Sequence, residues 1–360
     1  MRIAVHNPRF FSDPATNYNG YNLAFVRLFK PLIFLSGRTR GRLFRIRRQM
    51  QACGLDPRDY TFLLTESSLR QQADVLINFN GFPCARGNGP IRRFDGLKLW
   101  HAFEYVFDAD QSYQLLRQGG VDALMGYADH GRYCPFFRQH YPAFADRVIP
   151  VPFGFGERFA NTTPFAERLP KVVALGAVNP VDDPLADRFG DLSAYKAFYR
   201  DQVWTHHWRH LLRDHRDSLA DVMDCLLPIP PETKSFSYDA VAMLNRYQLF
   251  ANDEGLMNFP PARTYEGVAA GAVLVCSDHP VYSDLGFVDG INCLRHARHD
   301  VEGFRARIGT ALANPAELAR IAAAGTALVR SRYSHDAVAQ QLYADIAALY
   351  QGRAARRVAA

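Results

Sequence analysis

Short apolar runs separated by amphipathic stretches set the rhythm of this chain. Ile3-Ala-Val5, Val75-Leu-Ile77, Leu97-Lys-Leu-Trp100, Ala123-Leu-Met125 and Val148-Ile-Pro-Val151 read as buried strands, with a helical stretch from about Tyr21 to Leu35 after the first. Such alternation is the pattern of an α/β domain on a parallel sheet. From Gly154-Phe-Gly156 to Pro170 it loosens into Gly, Thr and Pro, the composition of a linker. A second alternation runs from Lys171-Val-Val-Ala-Leu-Gly176 through Tyr247-Gln-Leu-Phe250 and Ala272-Val-Leu-Val275 to Ile291-Asn-Cys-Leu294. The expected organisation is an N-terminal domain over 1–155, a linker over 156–170, a second domain over 171–334, and a terminal helix with a basic tail over 335–360, placed to pack back on the first domain. Asn314-Pro-Ala-Glu317 carries the signature of an N-cap with a capping-box Glu. Ser334 stands as the cap of a last helix with Val338, Leu342, Ile346 and Leu349 on one stripe.

The length of 360 residues fits two domains. A content of 48% hydrophobic and 22% charged residues is that of a soluble globular protein. No run approaches the ~20 apolar residues that span a bilayer, and Met1-Arg2-Ile3 opens a strand rather than a signal peptide, so a cytoplasmic location is expected. Six cysteines without a C-x-x-C pair exclude a disulfide framework and a zinc knuckle.

Charge changes the picture in one place. Pro14 to Leu55 holds no acidic residue, while Arg27, Lys30, Arg38, Arg40, Arg42, Arg45, Arg47 and Arg48 add eight positive charges among Leu28, Leu32, Ile33, Phe34, Leu43, Phe44 and Ile46. A basic apolar segment suits peripheral contact with an anionic membrane or receipt of an anionic acceptor; a solvated helix face has the same composition. Nucleic acid is not expected, since no recognition motif accompanies the charge.

The most informative stretch is Asn258-Phe-Pro-Pro-Ala-Arg263-Thr264-Tyr265-Glu266-Gly267-Val-Ala-Ala-Gly271-Ala-Val-Leu-Val-Cys276, followed by Asp289-Gly290-Ile-Asn292. A helix starting near Pro260 or Pro261 offers amide N–H groups and a positive dipole end to an anion, with Arg263 on its first turn. Glu266, one turn later, is a hydrogen-bond acceptor suited to a ribose diol, so the pair fits the two ends of a nucleoside diphosphate. A plain surface ion pair has the same spacing. Gly271 ends the helix, and Ala272 to Cys276 reads as a buried parallel strand.

On these residues, with Asn314-Pro-Ala-Glu317 and Tyr333-Ser334-His335, the stretch from about 249 to 349 resembles the C-terminal domain of group 1 glycosyltransferases, most closely the CgeB-like branch. The resemblance implies an α/β GT-B fold, two Rossmann-like domains facing each other across a cleft, with a nucleotide-sugar donor on the second and no metal or other cofactor. It implies that Glu266 binds the donor ribose, that Arg263 and helix-start amides neutralise the leaving diphosphate, and that Thr264 and Tyr265 lie beside the donor. Many retaining members carry a Glu eight positions before the ribose Glu; here that position is Asn258, with Glu254 the nearest upstream carboxylate. Phe250-Ala-Asn252 before Thr264-Tyr-Glu266 is also similar to inverting fucosyltransferases, though the Lys usually beside that Glu is Gly267. The implied activity is transfer of a sugar to a cell-surface glycan or lipid-linked acceptor; a fucosyltransferase-like enzyme and a non-catalytic nucleotide-sugar or glycan binder of the same fold are the alternatives.

Glycosyl transfer also needs a group to receive the acceptor proton. Trp100-His101-Ala-Phe-Glu104 follows a strand of the first domain and offers His101 and Glu104 as candidates. The loop Asn17-Tyr-Asn19-Gly20 opens a helix, with Asn19 and Gly20 as candidate substrate contacts; Asn179 and Lys234 are further donor-side candidates. Asp108-Ala-Asp110 is formally a metal-holding D-x-D but reads as a helix N-terminus. His206, His207 and His210 have chelating spacing, yet Trp204 to Arg213 reads as a helix with mixed faces rather than a zinc site.

Overall fold

A computed structural model describes residues 1–12, 19–80, 89, 91–102, 105–183, 189–229, 232 and 238–359. The chain forms two compact units. Unit 1 comprises Met1–Pro152, Ala186–Phe198 and His335–Ala360; unit 2 comprises Phe153–Leu185 and Tyr199–Ser334.

Unit 1 is built on seven parallel strands: β1 (Ile3–His6), β2 (Leu32–Phe34), β3 (Phe62–Leu63), β4 (Val75–Asn78), β5 (Leu97–His101), β6 (Ala123–Gly126) and β7 (Val148–Pro150), in the order β3-β2-β1-β4-β5-β6-β7. This is the doubly wound Rossmann order, whose direction of winding reverses between β1 and β4. β1, β4, β5 and β6 are buried throughout, which is why they read as continuous apolar runs. The helix expected from Tyr21 to Leu35 instead ends at Phe29, and Leu32–Phe34 is β2. Lys30 adopts a left-handed conformation, φ 43°, and Pro31 has no N–H to continue the helix, so the chain turns and the apolar run enters the sheet. The long terminal helix His335–Ala359 packs along the Gly20–Phe29 helix: Tyr343 stacks on Phe29 at 4.2 Å, and Arg27 pairs with Asp336. Arg353 ties its far end to Asp122 at 2.6 Å and to the Gly96 carbonyl at 3.0 Å.

Unit 2 holds five parallel strands: β8 (Leu169–Ala174), β9 (Met223–Cys225), β10 (Tyr247–Ala251), β11 (Val273–Ser277) and β12 (Leu294–His296), in the order β12-β11-β10-β8-β9. This is the second common doubly wound order, which reverses between β8 and β10. The run read as a strand at Ile291–Leu294 is mostly turn, and the strand starts at Leu294. The carbonyl of Cys293 accepts from Gly290 N–H, and the Asn292 side chain bridges Val288 N–H and Gly286 O, which consumes these residues in the turn. The segment 156–170 is tied into unit 2 by Arg168. Its buried guanidinium donates to the carbonyls of Ala270, Leu244 and Thr163 and to Asn161 Oδ1, so β8 begins inside the expected linker, at Leu169.

Two local expectations change. Asn314 precedes the Pro315–Arg332 helix but makes no cap bond; its side chain donates back to the Thr310 carbonyl at 2.9 Å. Glu317 pairs with Arg320 rather than closing a capping box. Among the described residues no helix is long and apolar enough to cross a membrane.

Candidate functional site

In doubly wound sheets, ligands bind beyond the carboxyl ends of the strands near the point of reversal. In unit 2 that point lies between β8 and β10, and the chain leaves β10 as Asn252-Asp253-Glu254, all three buried. Asn252 Oδ1 accepts from Arg209 Nη2 at 3.0 Å, while its Nδ2 donates to Thr264 Oγ1 at 2.8 Å. One amide therefore joins the β10 end, the His207–Asp214 helix and the Ala262–Ala269 helix.

The Ala262–Ala269 helix starts after Pro261, which supplies no side-chain cap, so its first-turn N–H groups are not claimed by a capping side chain. It ends in a Schellman turn: Gly271, φ 90°, donates to the Val268 carbonyl at 3.0 Å, and Ala272 to the Gly267 carbonyl at 3.1 Å. Arg168 on the Ala270 carbonyl and Arg330 on the Ala269 carbonyl, at 2.7 and 2.8 Å, bring positive charge to the negative end of the helix. Gly267 stands directly over the Phe250 ring of β10, where a Cβ would meet ring carbons at about 2.5 Å. The helix rides this close to the sheet because position 267 has no side chain, which accounts for Gly where the fucosyltransferase pattern has Lys.

Arg263 sits on the first turn, and its Nη1 is buried without a hydrogen bond. Glu266, one turn on, is 2% exposed; burial raises its carboxyl pKa above the ordinary value, against the pull of the Arg263 and Arg158 charges. Tyr265 packs its ring 5.1 Å from that of Tyr333, and its buried hydroxyl has no hydrogen bond. Glu254 is held from two sides, by Ser277 Oγ at 2.8 Å and Arg298 Nε at 2.9 Å; burial and then the Asp253 charge push its carboxyl up, while Arg298 and Ser277 oppose them. Arg298 also donates to Asn258 Oδ1 at 2.7 Å. Asn258, in the left-handed region at φ 52°, thus meets the same guanidinium as Glu254.

Sequence reasoning missed Arg209, Asp253, Tyr282 and Arg298, and it met Asn252 only as part of a pattern, without a role at the site. The Asp253 and Arg263 charges both act on Arg209, and the Glu254 and Asp253 charges both act on the buried Tyr282 phenol, so these groups share one neighbourhood. Asp253 faces Arg209 at 3.8 Å without hydrogen-bonding it, and the Tyr282 hydroxyl has no partner. The signal available for Asn252 and Asp253 was their place directly after a buried strand; Arg209 carries none. Asn179 follows β8, where its carbonyl accepts from Thr205 N–H and its Oδ1 is buried without a hydrogen bond.

The remaining candidates belong mostly to unit 1. His101 ends β5, fully buried, with Nε2 2.6 Å from the Tyr21 hydroxyl; burial drops its pKa to about 3, so the ring is neutral at physiological pH. Asn19 is the N-cap of the Gly20–Phe29 helix and makes no side-chain cap bond. The space over Gly20 is taken by the His335 ring, 1.9 Å from where a Cβ would stand, so what approaches this glycine closely is the terminal helix. Glu104, Lys234 and Asn17 lie outside the described residues. Asp108 directly precedes the Ala109–Gln118 helix without a side-chain cap bond, its Oδ1 accepting from Asp191 N–H, while Asp110 meets His140, so the D-x-D is divided between two partners. His210 meets Asp214 and Arg213, and His207 packs on His299; among the described residues no group of three metal-ligating side chains forms.

Residues 228–344, which include the Ala262–Ala269 helix and the β10 end with Asn252, Asp253 and Glu254 but not Arg158, Arg168, Asn179 or Arg209, match the model of a family described as glycosyl transferase-like. No curated protein sequence matches the chain. Among solved structures, Anabaena HepE in complex with UDP is 12% identical, with 97% of this chain and 100% of that one covered at a TM-score of 0.52. Sucrose-phosphate synthase from Thermosynechococcus elongatus is 11% identical, with 98% and 100% covered and a TM-score of 0.52. A glycosyltransferase from Rickettsia africae is 9% identical, with 98% of each chain covered and a TM-score of 0.51. With two Rossmann-like domains in these strand orders, the chain has the GT-B fold.

Proposed function

We propose that this chain is a glycosyltransferase that moves a sugar from a nucleotide-sugar donor to an acceptor hydroxyl, within the CgeB-like branch of the GT-B superfamily. The observation that carries the reading is the buried, unpartnered Nη1 of Arg263 on the first turn of an uncapped helix, inside the segment that matches the glycosyl transferase-like family. In the reaction the bond from the sugar anomeric carbon to the diphosphate breaks, a bond to the acceptor oxygen forms, and the acceptor proton departs. Negative charge grows on the diphosphate, and Arg263 with the first-turn amides stabilises it there. Glu266 accepts hydrogen bonds from the donor ribose. Glu254, oriented by Ser277 and Arg298, supplies a carboxylate toward the sugar in place of the one absent at Asn258. HepE binds UDP and UDP-glucose, which supports a uridine nucleotide as the first donor to try.

Unit 1 is the acceptor side. His101 is its candidate base, neutral and hydrogen-bonded to Tyr21, with Glu104 as the second candidate. The acceptor is a cell-surface glycan or a lipid-linked chain reached from the cytoplasmic side. Phe44, 82% exposed beside exposed Arg45, Arg47 and Arg48, supports peripheral contact with an anionic membrane. The test is calorimetric titration of UDP and UDP-glucose together with a donor-hydrolysis assay, on the parent and on Glu266→Ala. Binding lost in the variant and turnover in the parent are expected. Equal binding by both proteins removes the donor assignment, and binding without turnover across an acceptor panel reduces the chain to a nucleotide-sugar binder.

A further inference from the structure

On the carboxyl-end rim of unit 1, the turns after β1 and β2 bound a cavity of about 510 Å³ whose lining includes, among the described residues, Arg9, Ser12, Arg38, Thr39, Arg42 and Arg45 and no acidic side chain. Within the basic segment, Arg27 and Lys30 are paired with Asp336 and Asp59. Arg38, Arg42 and Arg45, by contrast, meet no carboxylate among the described residues. Three like charges gathered without a counter-ion repel one another; the Arg42 charge, after burial, lowers the pKa of Arg9.

The turns that carry Arg9 and Arg38 are held by a hydrogen-bond network. His6 Nε2 lies 2.7 Å from Ser36 Oγ, Asn7 Oδ1 accepts from Ser36 N–H at 2.9 Å, and Asn78 Nδ2 lies 3.2 Å from His6 Nδ1. Asn80 takes its N–H to Asn78 Oδ1 and its Nδ2 to the Asn7 carbonyl, and its Oδ1 accepts from Arg9 N–H. Asn7 holds φ 44°, so the turn that carries Pro8 and Arg9 is set by this buried network rather than left to solvent. Ser36, in the same network, directly precedes the turn of helix that carries Arg38.

We infer that this cavity is a binding site for a phosphate or diphosphate ester. A guanidinium presents planar paired N–H donors that match phosphate oxygens, and several of them around one cavity suit a multiply charged anion better than a single carboxylate. That the ester belongs to the acceptor rests on the reading of unit 1 given above; the anion site itself does not.

The experiment is calorimetric titration of inorganic pyrophosphate into the full chain, with UDP held saturating to occupy the donor site. Pyrophosphate binding is expected to persist under UDP and to weaken by at least about tenfold in Arg42→Gln and further in the triple variant R38Q/R42Q/R45Q. UDP affinity should be unchanged in both variants, and rising salt should weaken pyrophosphate binding. All three side chains are exposed, so the variants should fold, and a thermal melt checks it. Flotation with phosphatidylglycerol vesicles separates the two sources of the ester. Vesicle binding that pyrophosphate competes away and the triple variant loses assigns a lipid headgroup, whereas pyrophosphate binding with no vesicle binding assigns a free phosphorylated acceptor. Pyrophosphate bound equally by parent and triple variant, or fully displaced by UDP, overturns the site. If UDP fails to bind but pyrophosphate still depends on Arg42 and not on Arg263, the donor reading falls and the anion site stands.

Discussion

At the ends of β1, β2 and β4, the side chains of His6, Asn7, Ser36, Asn78 and Asn80 spend their hydrogen bonds on one another and on nearby backbone. At the end of β10, on the Ala262–Ala269 helix and on the short Pro280–Asp284 helix after β11, Asp253, Arg263, Tyr265 and Tyr282 each keep a buried polar atom with no hydrogen bond. Both rims belong to doubly wound sheets and both bury polar groups where ligands bind in such folds. A buried polar atom without a partner forfeits about 1–3 kcal/mol, so folding alone gives no reason to gather several in one place. The satisfied rim is a scaffold that sets loop geometry. The unsatisfied rim has the form of a surface whose hydrogen bonds are completed by a ligand.

The largest expected effect tests the scaffold half of that contrast. Burial lowers the pKa of His6, His101 and His130 in unit 1, each to about 3. Between roughly 6.5 and 3 the unfolded chain binds a proton at each ring that the folded unit refuses, so these residues support the fold fully above about 6.5 and the support is lost as pH falls through that window. The slope is about 1.4 kcal/mol per pH unit for each histidine. Hydrogen exchange of the β1, β4 and β5 amides should show protection falling steeply from pH 7 to pH 5. Protection flat across that range would mean that the rings take up protons in the folded state.

Within the same network, Asn78→Ala leaves His6 Nδ1 and the Asn80 N–H without their partner. A loss of about 3 kcal/mol in urea unfolding is expected, with the donor site of unit 2 still able to bind UDP. A variant as stable as its parent would show that water replaces the amide and that the rim is not a closed network.

How much of this was legible in the sequence follows from the same contrast. Buried parallel strands announce themselves as apolar runs, so β1, β4, β5, β8, β10 and β11 were readable, as was the Arg263 helix with its Gly271 stop. β3 and β9, two and three residues long, carry too little pattern to stand out. β2 reads as helix in the sequence because its apolar residues continue the amphipathic stretch, and the break depends on the left-handed backbone at Lys30. Arg209 and Arg298 reach the site from the His207–Asp214 helix and from the turn after β12, a convergence made by topology and invisible to spacing. Asn314 had the residue type for a cap, yet its backbone carries the side chain toward Thr310 instead.

Arg263→Ala tests the other rim. Removing a guanidinium whose Nη1 is buried and unpartnered costs no hydrogen bond from that atom but withdraws a positive charge that offsets the burial of Glu266, so a stability loss of no more than about 1 kcal/mol is expected. UDP binding should weaken by about 2 kcal/mol, roughly thirtyfold in Kd, because a charge-assisted bond to the diphosphate is missing. A stability loss larger than the affinity loss would place Arg263 with the scaffold and erase the contrast between the rims.

The smallest effect is the most discriminating. Tyr282→Phe removes only a hydroxyl that the folded protein buries without a hydrogen bond, so the unliganded chain should be unchanged or stabilised by up to about 1 kcal/mol. Nucleotide-sugar affinity should fall by about 1 kcal/mol if a bound ligand supplies the partner that the Tyr282 hydroxyl lacks in a neighbourhood shared with the Glu254 and Asp253 charges. The two signs must be opposite, which a residue that merely packs the core cannot produce. Parallel thermal melts with and without UDP-glucose read both at once: the variant should melt at or above its parent when empty and gain less from the ligand. A variant that melts lower when empty and gains as much as its parent would return Tyr282 to the core.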